Sequence, residues 1–247
     1  MTRPGRDFAA AFNVVVVCPS YHLSSPDPEV RWPASVHSAW GVLSWLSENA
    51  EREFGVSLEE GFVVGGHSAG SNLAAAVTGV SLFGDDGTYG AEFRQLPKPI
   101  TGLFVNCPLL LDDDILPQKY KEDWASFQDN YHLQPLGSHA IIGMKKAYAP
   151  DFRSRWWSPT ADLTKSSARG VHFPPCHINA CGLDPLRDDA IVFEKVLAAR
   201  GDKTNMIVFP DDGHAAWMAM PFPHKSKDPT SAEGTMLGME WLLKGRR

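Results

Sequence analysis

The chain has little positive charge to spare. Lys and Arg number 23 against 29 Asp and Glu, a formal net charge of −6 over 247 residues. No basic block or P-loop occurs, so no nucleic-acid or anionic-membrane surface is expected. No apolar run is long enough to span a bilayer, and polar Met1–Asp7 has no signal-peptide core. Cysteine is scarce: Cys18, Cys107, Cys176 and Cys181, with no C-x-x-C or Cys/His spacing of a zinc site. Neither metal nor cofactor is implied. Three of these cysteines fall in apolar runs and Cys18 ends a fourth, so buried, reduced thiols and a cytoplasmic location are expected. Repeats and low-complexity tracts are lacking too.

What is present is an alternation. Asn13–Cys18, Gly61–Gly65, Ile100–Cys107, the end of Val171–Cys181 and Thr204–Phe209 are short apolar runs that read as five buried strands. Between them, Val36, Ala39, Leu43 and Leu46 keep helical spacing after Pro33, and an alanine-rich helix runs from Gly70 to about Val80. Leu186, Ala190, Phe193 and Leu197 form another helical face before Gly201, and Thr235–Leu243 reads as the last helix. Strand and helix in turn predict a mostly parallel sheet with helices on both faces. Residues 109–169 break the pattern. They are rich in aromatics and charge and read as a helical lid or cap, dividing the hydrolase-like core into 1–108 and 170–247.

The sharpest motif is Gly66-His67-Ser68-Ala69-Gly70, between a strand and a helix. G-x-S-x-G in that setting is a nucleophile elbow, a tight turn that raises a serine hydroxyl above the sheet. A serine needs a base, and the base needs an acid to orient it. Asp184 lies just past one strand and His214 just past the next, in the order Ser, Asp, His. Two blander roles compete: Asp184 as a helix N-cap and His214 as an ordinary loop residue. Asp188 is the rival acid, Asp211 and Asp212 shape the loop, and His67 receives no chemistry. The Ala69 N–H, following the nucleophile, is the candidate oxyanion donor. Trp124 and Phe127 in the lid, with Trp217 just after His214, are candidates for an apolar acyl or aryl pocket. About half of the lid aromatics, among them Tyr120, Tyr131, Trp156 and Trp157, are expected to pack it onto the body.

These motifs together resemble the hormone-sensitive-lipase-like α/β-hydrolases, the arylacetamide-deacetylase-type carboxylesterases. The likeness runs through Tyr21-His22-Leu23, Trp32-Pro33-Ala34, the elbow, Gly182-Leu183-Asp184-Pro185-Leu186-Arg187-Asp188 and Asp212-Gly213-His214. It implies an α/β-hydrolase fold and a serine esterase acting on a small-molecule ester. His22 stands where the family has arginine, and Asp27 where it has glutamate. The family's H-G-G-G loop, which supplies half of the oxyanion hole, has no counterpart here. The resemblance therefore implies missing N-terminal strands and an apolar sheet edge at Asn13–Cys18, for which a second copy of the chain is one cover. Three accounts stand open: a truncated or mis-started chain, an oxyanion hole completed by other groups, and a weakly active or non-catalytic small-molecule binding protein.

Overall fold

The computed structural model describes residues 2–24, 31–133, 136–165, 170–214, 216 and 230–245. Four strands, β1 (Val63–His67), β2 (Gly102–Asn106), β3 (Cys176–Cys181) and β4 (Thr204–Phe209), pair in that order, every pair parallel. Val63 stands opposite Gly102, Leu103 opposite Cys176, and Cys181 opposite Phe209. The helices are α1 (Thr2–Phe12), α2 (Ala34–Phe54), α3 (Ala69–Phe83), α4 (Ser126–Asp129), α5 (Ser138–Tyr148), α6 (Thr160–Leu163), α7 (Arg187–Ala199) and α8 (Ser231–Lys244).

The two faces of the central strands carry different chemistry. Leu103 and Val105 of β2 and Cys176, Ile178 and Ala180 of β3 point to one face, where Ala74 and Ala75 of α3 and Val192 and Phe193 of α7 close a fully buried core. Successive strand residues must face opposite ways. Phe104 and His177 accordingly face α1 and α8. Phe8 of α1 meets Phe104 edge-on, and Gly238 of α8 lies directly over the His177 ring. A second cluster joins α2 to α3 through Val36, Trp40, Leu43, Leu73, Val77 and Val80, with Trp156 inserted among them. Local signals end the helices as physics requires: Gly55 is left-handed (φ 66°) after α2, and Thr230 and Glu233 form a reciprocal capping box on α8.

One expected strand is missing. Asn13–Cys18 follows α1 as coil, and no ladder among the described residues joins it to the sheet. Val15 and Val17 are 50% and 41% exposed, and Cys18 is exposed as well, contrary to the buried thiol expected. A β-branched run favours extended backbone, but a strand also needs a neighbour for its N–H and C=O groups. Among the described residues β1 pairs with β2 alone. The other three cysteines are buried and free.

Candidate active site

At the end of β1 the chain turns sharply into α3 on one residue. Ser68 has φ 55° and ψ −120°, a conformation that a residue with a side chain adopts only under constraint. A Cβ on Gly66 would fall 2.2 Å from the Gly70 carbonyl carbon, so the turn closes only with glycine there. Ser68 N–H donates to Asn106 O (2.9 Å). The buried Ser71 hydroxyl lies between Gly66 O (2.7 Å) and Asn106 O (3.0 Å) and accepts Asn106 N–H (2.9 Å). The elbow is thus braced against β2. Ala69 opens α3, whose N-terminus carries no side-chain cap, so first-turn N–H groups are available to an anion above Ser68.

The acid and the base arrive from the ends of β3 and β4. Gly182 follows β3, and a Cβ there would lie 2.1 Å from Pro210 O, so the two loops touch because this residue is glycine. Gly182 N–H donates to Phe209 O (2.8 Å) and Leu183 N–H to Asp212 O (3.0 Å). On that stitched frame Asp184 Oδ2 stands 2.8 Å from His214 Nδ1, with Asp184 fully buried and His214 8% exposed. Asp184 Oδ1 accepts Leu186 N–H (2.9 Å), so the cap-like role and the histidine partnership belong to one carboxylate. The rival Asp188 faces elsewhere: it accepts the N–H groups of Ala125 and Ser126 and pairs with Arg187. Ser68 is half-buried at this same sheet edge, and no hydrogen bond joins its hydroxyl to His214. Such contacts often tighten only when substrate binds.

The structure adds neighbours to which the sequence reading gave no role. His67, next to Ser68, lies with its ring centroid 4.8 Å from that of His214. Burial, then the nearby His214, pushes His67 down to about 4, which keeps it neutral. Asn130 is buried and donates through Nδ2 to Asp184 O (2.9 Å) and Gly182 O (3.3 Å). Ser126 Oγ donates to Pro185 O (2.9 Å) and accepts Asp188 N–H (3.1 Å). Nothing in the local pattern around Asn130 or Ser126 marks them, since their partners lie more than fifty residues away.

Trp124 sends its indole N–H to Asp189 Oδ1 (2.7 Å) and stacks on Phe127, with ring centroids 6.0 Å apart. Asp189 is fully buried and also accepts Leu110 and Leu111 N–H (2.8 and 2.9 Å). Burial raises this carboxyl to about 6. Trp156 and Trp157 are buried, and Tyr120 donates to Lys195 O (3.1 Å). Tyr131 is 38% exposed. Trp217 lies outside the described residues.

A parallel sheet whose carboxyl edge carries an elbow serine, a buried Asp–His pair and open helix N–H groups defines an α/β-hydrolase. The chain belongs to that family: the model described as "alpha/beta hydrolase fold" matches residues 2–218. It is 30% identical over 197 residues to Esterase LipI of Mycobacterium tuberculosis, covering 79% of this chain and 53% of that protein. It is 27% identical over 229 residues to the versiconal hemiacetal acetate esterase of Dothistroma septosporum, covering 93% of this chain and 64% of that one. Among solved structures, esterase LipW from Mycobacterium marinum superposes with a TM-score of 0.75 at 24% identity, covering 99% of this chain and 67% of that one, a likeness of fold. The chain spans less than two thirds of the length of these curated relatives. No helix among the described residues is long and apolar enough to cross a membrane.

Proposed function

We propose that the protein is a serine carboxylesterase that cleaves small esters through an acyl-enzyme. The observation that carries this reading is the buried Asp184–His214 pair, at 2.8 Å, beside a serine held at positive φ. Ser68 Oγ attacks the ester carbonyl while His214 takes its proton and then delivers it to the departing alcohol. Water, deprotonated by the same imidazole, attacks the acyl-enzyme and releases the acid. Asp184 holds the ring with its proton on Nδ1 and stabilises the imidazolium formed in each step. The Ala69 N–H, at the positive end of α3, stabilises the oxyanion. Trp124, Phe127 and Trp217 face an apolar acyl or aryl group in this reading. The esterase names of the relatives support the ester class.

The test is hydrolysis of p-nitrophenyl butyrate by the purified chain against Ser68→Ala, with fluorophosphonate labelling of Ser68 alongside. A Ser68-dependent rate and a labelled serine are expected, with a loss of ~10³-fold or more on substitution. Folded protein with neither would leave the other reading, a small-molecule binding protein on the same fold, which the unbonded Ser68 hydroxyl favours.

A further inference from the structure

Behind the Asp184–His214 pair, away from Ser68 in the bonding sequence, sits a thiol that the hydrolytic reading does not use. Cys107 follows β2 directly, is 1% exposed and has a positive φ of 47°. Its Sγ lies 3.5 Å from Cys181 Sγ at the end of β3. One donor atom each from Cys107, Asp184 and His214 falls within a sphere where none is more than 4.8 Å from another. Sulfur, imidazole nitrogen and carboxylate oxygen are the donor types of tetrahedral zinc-class sites, where adjacent ligand atoms stand roughly 3–4 Å apart around bonds of about 2.0–2.3 Å. Modest side-chain rotation would close the remaining gap. The three donors also come from three different strand ends, so no long loop must be ordered to assemble them.

We propose that Cys107, Asp184 and His214 form a site for one thiophilic divalent cation of the zinc and cadmium class. On binding, the Cys107 thiol releases its proton to solvent and gives a sulfur lone pair to the metal. Asp184 contributes its existing charge. His214 gives its Nδ1 lone pair, so its ring proton resides on Nε2. That tautomer has no lone pair left to accept a proton from Ser68. Metal occupancy and serine activation therefore exclude one another. The Cys107 thiol is held well above its ordinary range by its contact with Cys181, by burial and by Asp184. A thiolate donor suits a soft cation, whereas magnesium and calcium take oxygen ligands, so these two do not match the site. The site itself rests on the donor geometry, and only its inhibitory consequence rests on the esterase reading.

Cadmium alone is the probe, because a thiolate bound to it gives an ultraviolet charge-transfer band. The full chain carrying Cys18→Ala, which removes the exposed thiol, is titrated with cadmium chloride. The band should saturate at one ion per chain, disappear in Cys107→Ala and Cys107→Ser, and survive Cys176→Ala. No band at one equivalent overturns the proposal without recourse to any further variant. So does a band unchanged by the Cys107 substitutions or lost with Cys176→Ala. In parallel, fluorophosphonate labelling of Ser68 should fall tenfold or more at saturation and return with EDTA. Labelling that persists at full occupancy overturns the exclusion. If Ser68 is unlabelled even without metal, the esterase reading fails and the band alone decides the site.

Discussion

Two buried histidines near the ends of neighbouring strands show what a partner does to an imidazole. His214, after β4, shares Nδ1 with the Asp184 carboxylate. His177, within β3 on the face under α8, shares Nε2 with the Asn179 carboxamide at 2.9 Å. An amide offers a dipole where a carboxylate offers a full charge, so it cannot offset the loss of water around an imidazolium. Burial accordingly pushes His177 down to about 4, and it stays a neutral packing element beneath Gly238. The same side chain, buried in both places, meets a carboxylate beyond the carboxyl end of β4 and packs beneath a helix near the amino end of β3.

The largest expected effect comes from making the first pair resemble the second. Asp184→Asn keeps the volume and removes the charge, and it should lower kcat on p-nitrophenyl butyrate by about 10⁴-fold. Circular dichroism and the melting temperature should report a folded chain, so the loss is one of chemistry. Next in size is Gly238→Ala. Its Cβ would stand 2.0 Å from the His177 ring, and the crowding should cost about 1–3 kcal/mol by urea unfolding.

The pH dependence of stability sharpens the contrast further. His177 binds a proton near pH 6.5 when unfolded but only near 4 when folded. Its contribution is therefore fully present above about pH 6.5 and is lost as the pH falls toward 4, on the order of 3 kcal/mol in all. His67 adds a similar term. His177→Gln should flatten the urea-midpoint profile between pH 4 and 6.5, by up to one proton's slope of about 1.4 kcal/mol per pH unit. An unchanged slope would show that His177 is not the neutral group described. Least should happen at the uncovered segment: Val15→Thr and Val17→Thr should each shift stability by no more than about 0.5 kcal/mol.

That last pair marks where the sequence could mislead. Val14–Val17 and Leu103–Val105 are equally apolar, yet one is coil with Val15 and Val17 exposed and the other the centre of the sheet. Periodicity reports a residue's preference for apolar surroundings and says nothing of whether a neighbouring strand exists. The elbow was legible because Gly66 is forced by its contact with the Gly70 backbone four residues on. Asp184 and His214 were legible because chain order and strand ends carry that information. Asn130, Ser126 and Cys107 were not, because each meets the site across a gap of more than fifty residues. The indole N–H of Trp124 reaches Asp189, a partner that only the fold discloses.

The clasp between residues 124–130 and the loop carrying Asp184 has one more consequence. Ser126, Asn130, Asp188 and Asp189 bind residues 124–130 to the same backbone that carries Asp184. A substitution in that stretch therefore acts on the Asp184–His214 pair at the same time. Sequence drift should therefore concentrate farther along, around α5, where Ile142 and Met144 face solvent and no hydrogen bond among the described residues ties them to the loop carrying Asp184.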